Sequence, residues 1–377
     1  MHSTADTAGA SAAVTPAPAY GVAIVGTGGI ANAHAEALSA FPDQVRLVAG
    51  VDLDADRAKE FAERWTVGRT AASLQDALAG GDVDTVVICT PPASHGPLAI
   101  EALEAGVNVV IEKPPTLSLK QLRELAEAEE RSTGTVSCIF QHRFGPGASQ
   151  LRQLHNDGSL GRPLVGVCNT LWFRDQPYFD VPWRGKWDVE GGGPTMGHGI
   201  HQFDLLLDLW GRWTDVTAYA GKLARRTATE DVSCAIVRFE SGAVATITNS
   251  LVSPRESSYL RLDYERATVE LEHLYGYTGN DWRFTPAPGA DDLEWSTVDG
   301  KRSSHLSQYE AWVRARTEGT PPPVGLADAL VTMELVAAIY QSAITKQSVS
   351  REEIQQGGAF EERMDGFAEP WNEETGA

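Results

Sequence analysis

From Tyr20 onward the chain alternates short apolar runs with segments of helical spacing, and this alternation restricts the fold more than any other feature. GVAIVG is followed by IANAHAEALSAF, and VRLVAGVD by the amphipathic DADRAKEFAERW. DVDTVVICT, NVVIEKP and TVSCIF continue the series. Such alternation predicts an α/β domain, a parallel sheet with helices on both faces. The runs are apolar throughout, as strands covered on both sides should be.

The pattern changes near Phe144, Gly145 and Pro146. LVGVCNTLWF, VTAYAGKLARR, SCAIVRFE and AVATITNSLV alternate polar and apolar residues, which suits an open sheet with one covered face. HQFDLLLDLW and GLADALVTMELVAAIYQSAITKQ read as helices. At 377 residues the chain is long for one core. The expected division is a flexible tail over 1–19, a parallel α/β domain over 20–143, and a second, α+β domain over 144–350. A loosely held acidic tail would follow over 351–377.

The 31 basic and 51 acidic side chains give a formal charge of -20. Such a field repels phosphate backbones and anionic lipid, so small molecules or other subunits are expected as partners, and nucleic acid and membranes are not. No run approaches the roughly twenty apolar residues needed to cross a bilayer. Cys89, Cys138, Cys168 and Cys234 are too scattered for a zinc cage or a disulfide framework. The first twenty residues have no signal-peptide pattern, and a cytoplasmic protein is expected.

The first unit contains Gly26-Thr27-Gly28-Gly29-Ile30-Ala31, a GxGxxA run between strand and helix. In a dinucleotide loop Gly26 permits the tight turn, Gly28 lets the backbone approach pyrophosphate, and Ala31 lets helix and strand pack closely. Phosphate then rests on the free amides at the helix start, around Gly29 and Ile30. Asp52 ends the next strand, about twenty residues on, where a carboxylate accepts ribose hydroxyls. That favours NAD; Arg57, one turn further, is the residue that would admit NADP. A plain turn, with Asp52 capping a helix, is the competing reading.

VNVVIEKPPTLS sets Lys113 at the carboxyl end of a strand, where open parallel sheets bind ligands. Its ammonium would steady a developing alkoxide there; the alternative is a solvated lysine paired with Glu112. GGGPTMGHGIHQFDLLLDLW then places His198 and His201 three residues apart at the start of an apolar helix. A neutral imidazole, with a pKa of about 6.5, accepts a hydroxyl proton near neutral pH. His198 could equally bond backbone at the helix start. No third ligand is evident, so no metal is expected. Asp204 would orient a ring nitrogen or nearby backbone. In LWFRDQPYFDVPWRGKWDVEGGG, aromatic and basic residues mingle as in a sugar pocket, though aromatics also build cores. Tyr178, Arg184 and Lys186, with Arg143 of QHRFGP and His198, are the substrate-binding candidates.

GxGxxA, CTPPASH (Cys89 to His95), EKP (Glu112 to Pro114) and GGG followed by GxH together resemble the glucose-fructose oxidoreductase, inositol dehydrogenase and rhizopine-catabolism (Gfo/Idh/MocA) family. The resemblance runs from Tyr20 to the C-terminal helix. It implies a Rossmann domain, a second domain with an open, mostly antiparallel sheet, NAD(P)-dependent chemistry on sugars and polyols, and dimers or tetramers formed through that sheet. It implies that Lys113 is catalytic, that Thr90, Pro92 and His95 form the loop beside the nicotinamide ribose, and that Glu112 and Lys113 border the nicotinamide. His201 matches the family histidine, with His198 as a second candidate base, whereas Gly197 stands where an aspartate is usual. The expected function is an NAD-dependent dehydrogenase acting on a sugar, glycoside or cyclitol hydroxyl. The alternatives are a redox-neutral glycoside-cleaving enzyme and a non-catalytic dinucleotide sensor.

Overall fold

Every apolar run of the N-terminal half becomes a strand in the computed structural model, which describes residues 20–296, 301–368 and 370–371. The expected tail over 1–19 lies outside these residues. The strands are β1 (Tyr20–Val25), β2 (Val45–Val51), β3 (Arg69–Ala71), β4 (Thr85–Ile88), β5 (Asn108–Ile111) and β6 (Val136–Cys138). Between them run α1 (Gly29–Leu38), α2 (Ala55–Trp65), α3 (Leu74–Leu78), α4 (His95–Glu104) and α5 (Leu119–Glu130). The six strands are parallel in the order β3-β2-β1-β4-β5-β6, the Rossmann arrangement. Because side chains alternate across a strand, one strand serves two cores. Ala23, Val25, Val86 and Ile88 face one helical layer, and Val22, Ile24, Val87 and Val110 face the other. Burying each aliphatic side chain contributes about 1.5–3 kcal/mol.

The second half adds α6 (Pro146–Asn156), β7 (Pro163–Phe173), α7 (Gln176–Phe179), α8 (Ile200–Trp210) and β8 (Trp213–Gly221). β9 (Val232–Phe239), β10 (Val244–Ser250), β11 (Val252–Tyr264), β12 (Ala267–His273) and β13 (Trp282–Pro286) follow. The chain then forms α9 (His305–Glu318), α10 (Leu326–Thr345), β14 (Val349–Ser350), α11 (Arg351–Gln355) and α12 (Ala359–Glu362). Eight strands pair as β13-β12-β11-β7-β10-β9-β8-β14, antiparallel except for β7 with β10. One face is covered by α8 and α10. The other leaves Val165, Phe173, Tyr219, Ile236 and Val244 exposed.

Three expectations need correction. The boundary at 143/144 is not a linear cut, because α9 returns to the first sheet and packs Tyr309, Trp312 and Val313 into the core of Val22, Ile24 and Val87. Helix α10 meets the length and apolarity of a membrane span, but 67% of that stretch is buried inside the protein, where it packs against β8 as a core helix. The described part of 351–377 is not loose. Arg351 pairs with Glu334 at 2.7 Å, Arg123 pairs with Glu361, and Trp371 stacks on Trp187. Acidic composition suggested solvation there; the partners that hold the segment are distant in sequence.

Candidate active site

Gly26 has φ +85°, and a Cβ there would lie 2.8–2.9 Å from Thr90 and the Cys89 carbonyl carbon, so the turn after β1 admits only glycine. Gly28 and Gly29 open onto free space, and no side chain caps α1. The amides at that helix start are therefore available to pyrophosphate. Beside this loop the Asp52 carboxylate accepts bonds from the Thr27 amide and hydroxyl, both at 2.9 Å, and from the Asp54 amide at 3.0 Å. Arg57 grips it through Nε at 3.0 Å and Nη2 at 2.7 Å. Burial alone would raise the Asp52 pKa, but Arg57 and these donors hold it well below the usual carboxylate range. The carboxylate thus stays ionised at the end of β2, beside the glycine loop, and Arg57 is occupied by it.

At the end of β5, Glu112 is buried and turned inward. Its Oε1 meets His34 Nε2 at 2.9 Å and His305 Nε2 at 3.1 Å, and its Oε2 accepts the Lys113 amide at 3.0 Å. Burial opposes the charge, but the two imidazoles keep the carboxyl far below its ordinary pKa. The three donor atoms lie within 4.8 Å of one another, close enough for a metal, yet each imidazole already has a partner in the carboxylate. His95 is likewise internal, bridging the carbonyls of Thr90 and Pro114 at 2.8 Å each. It ties the Thr90–Pro92 loop to the strand end and offers no nitrogen to a cofactor.

Lys113, half-buried, points its ammonium across the cleft to the carbonyl of Gly197 at 2.9 Å. That carbonyl belongs to a π turn, Thr195–Gly199, which leads into α8. π turns open helical geometry and frequently mark functional sites. A Cβ on Gly197 would meet nothing within 4 Å, so the space there is open and His198 does not fill it. His198 instead bonds Tyr178 through Nε2 at 3.1 Å and stands edge-on to Trp172, 5.4 Å between ring centroids. His201, 2% exposed, has no partner on either ring nitrogen among the described residues. Burial and then the Lys113 ammonium push both histidines well below their usual pKa. Lys113 itself is lowered, by burial first and then by Arg184.

The wall around His198 is basic and aromatic. Arg184 lies over the rings of Trp183 and Tyr178, 3.9 and 4.2 Å from their centroids, and pairs with Glu190 at 2.7 Å. Arg174 lies over Trp172 and pairs with Glu256. Such faces suit the C–H surface of a sugar ring.

Two consecutive stretches match profiles of one family: residues 20–140 its "NAD-binding Rossmann fold" and residues 148–272 its "C-terminal domain". The chain belongs to the Gfo/Idh/MocA oxidoreductase family. Within it, a D-glucoside 3-dehydrogenase of Escherichia coli is 28% identical over 346 residues, 86% of this chain and 95% of that protein. A D-apiose dehydrogenase of Paraburkholderia graminis is 25% identical over 373 residues, 94% and 96% of the two chains. The WlbA dehydrogenase of Chromobacterium violaceum, solved with NADH and UDP-GlcNAcA, superposes with a TM-score of 0.79 at 26% identity. The match covers 90% of this chain and 98% of that one. The Gfo/Idh/MocA oxidoreductase described here therefore has an NAD-binding N-terminal domain, and the loop at Gly26–Ile30 with Asp52 fits that cofactor.

The structure brings some of the candidates together and not others. Lys113, His198, His201, Tyr178 and Arg184 converge. Arg143 does not: its guanidinium clasps Asp204 at 2.7 and 2.8 Å and also meets Asp328 and Asp208. Asp204 accordingly serves Arg143 and Thr332 and leaves His201 unoriented. Lys186 is exposed and takes part in none of the bonds joining the cleft residues. Trp187 is core, bonded to the Ala228 carbonyl and packed on Tyr340. Sequence reasoning missed His142, whose ring lies 5.0 Å from that of His201 and whose nitrogens also lack partners. It sits beside Arg143, where a histidine directly after the sixth strand was the available signal.

Proposed function

We propose that the protein is an NAD-dependent dehydrogenase acting on a secondary hydroxyl of a sugar, glycoside or cyclitol. The observation that carries this reading is His201, buried beside Lys113 with both nitrogens unpartnered. A substrate hydroxyl entering the cleft gives this buried ring the hydrogen-bond partner that such groups require. Bound NAD supplies the hydride acceptor. His201, uncharged across the neutral range, takes the hydroxyl proton as the C–H bond yields its hydride. Lys113 holds the oxygen as negative charge develops and donates to it. Arg184 and His198 offer polar edges to further hydroxyls, with Trp172 and Tyr178 packed behind them.

The glucoside and apiose dehydrogenases among the relatives support this reading, as does the WlbA complex. The exposed Val165, Phe173, Tyr219, Ile236 and Val244 on the uncovered face of the eight-stranded sheet support the self-association that the family resemblance implies. The test is a panel of sugars, sugar acids, cyclitols and glycosides with NAD and NADP, following NADH and aglycone together. NADH formation that is lost in both Lys113→Ala and His201→Ala is the expected result. Unchanged turnover in both variants defeats the reading, and aglycone release without NADH redirects it to redox-neutral cleavage.

A further inference from the structure

We propose that Glu230 is a positioning residue that seats the π turn Thr195–Gly199, and with it His198 and His201, from outside the helix. This rests on the dehydrogenase reading above. Glu230 lies just before β9 and is fully buried. Its Oε2 accepts the Gly193 amide at 3.0 Å, and its Oε1 accepts the Thr195 amide at 3.1 Å and the Tyr340 hydroxyl at 2.9 Å. Amides at a helix entry lack partners within the helix, and no local side chain caps either the π turn or α8. The cap therefore comes from 35 residues away. A carboxylate there also complements the positive helix end.

The GGG run is shaped for this approach. A Cβ at Gly193 would lie 2.0 Å from the Glu230 carbonyl oxygen and 2.8 Å from its Oε2. One at Gly192 would lie 2.2 Å from the Tyr340 hydroxyl. Ser233 continues the cradle, meeting the Thr195 hydroxyl at 2.7 Å and the Asn249 amide at 3.1 Å.

Everything that touches the Glu230 carboxyl is a donor, so its ionised form satisfies all three groups, whereas a protonated oxygen opposes one of them. Burial pushes its pKa up to about 7, against the pull of the Thr195 amide and the Tyr340 hydroxyl. Tyr340 of α10 is the titratable group facing it; neighbouring Asp231 turns its carboxylate to the amides of Leu223, Ala224 and Arg225. His198 and His201 are held well below their usual values and do not account for a rise near pH 7, so a rise that disappears in Glu230→Gln is the mark of Glu230.

The test uses the full chain with NAD and the substrate found by the panel. Glu230→Gln is expected to lower kcat about tenfold or more through misplacement of the histidines, to leave NAD affinity unchanged, and to abolish the rise near pH 7. Tyr340→Phe, which removes one donor to the ionised form, is expected to move that rise to higher pH. A pH profile unchanged in both variants overturns the proposal. If the wild type oxidises nothing in the panel, the dehydrogenase reading falls, and amide exchange across Gly193–Gly199 decides this one. Protection beyond the intrinsic pH effect should then grow through about pH 7 in the wild type and not in Glu230→Gln, and equal behaviour overturns it.

Discussion

His201 and Asp52 are opposite kinds of functional residue. His201 waits without partners, and His201→Ala should lower kcat by roughly 10²–10⁴ while NAD binding, followed by fluorescence titration, stays the same. Asp52 is saturated with partners. Its carboxylate stays charged until well below the ordinary value of about 3.9, so the bonds it anchors are present at neutral pH and lost only as strong acid protonates it. Asp52→Ala should release Arg57 toward the NADP phosphate and shift the NADP-to-NAD ratio of kcat/KM roughly tenfold, about 1.4 kcal/mol. No change in that ratio would remove Asp52 from cofactor choice. Asp52 was legible in the sequence because its role follows from local spacing after a glycine loop. Arg143 was not, because the carboxylate that claims it lies 61 residues away.

Helix α8 shows how a structural element carries its site. The π turn before it holds His198 and its first turn holds His201, and one turn further Asp204 anchors it to Arg143 at the end of the first domain, with side chains 0% and 8% exposed. Removing one partner of such a pair leaves a buried charge unmatched, which costs about 3–5 kcal/mol. Arg143→Ala should therefore lower Tm by several degrees with the substrate KM little changed; a large KM effect on a stable protein would return Arg143 to the pocket. Strands and long helices were legible wherever apolar runs were dense. Helix α9 was not, because its inward face consists of His305, Gln308, Tyr309 and Trp312, residues whose polar atoms hide their burial. The long β11 went unmarked because its outward positions are polar or charged, Ser257, Arg261 and Asp263 among them.

Across the molecule, the two-domain architecture and the identity of each sheet were readable, while the crossing of the chain between domains was not. The bare sheet face is the feature with the broadest consequence for assembly. Ile236→Lys on this face should lower the mass measured by light scattering without loss of NAD binding, and an unchanged mass would mean that the face is not an interface. The return of α9 has a different consequence. Gln308 bonds the backbone of Cys138 and Phe140, and His305 and Tyr309 complete the network around His34 and Glu112. A ribosome making this chain must therefore release β7 to β13 and then α9 before the nucleotide domain can close its own core. A fragment ending at residue 143 would emerge with one wall of its interior still untranslated.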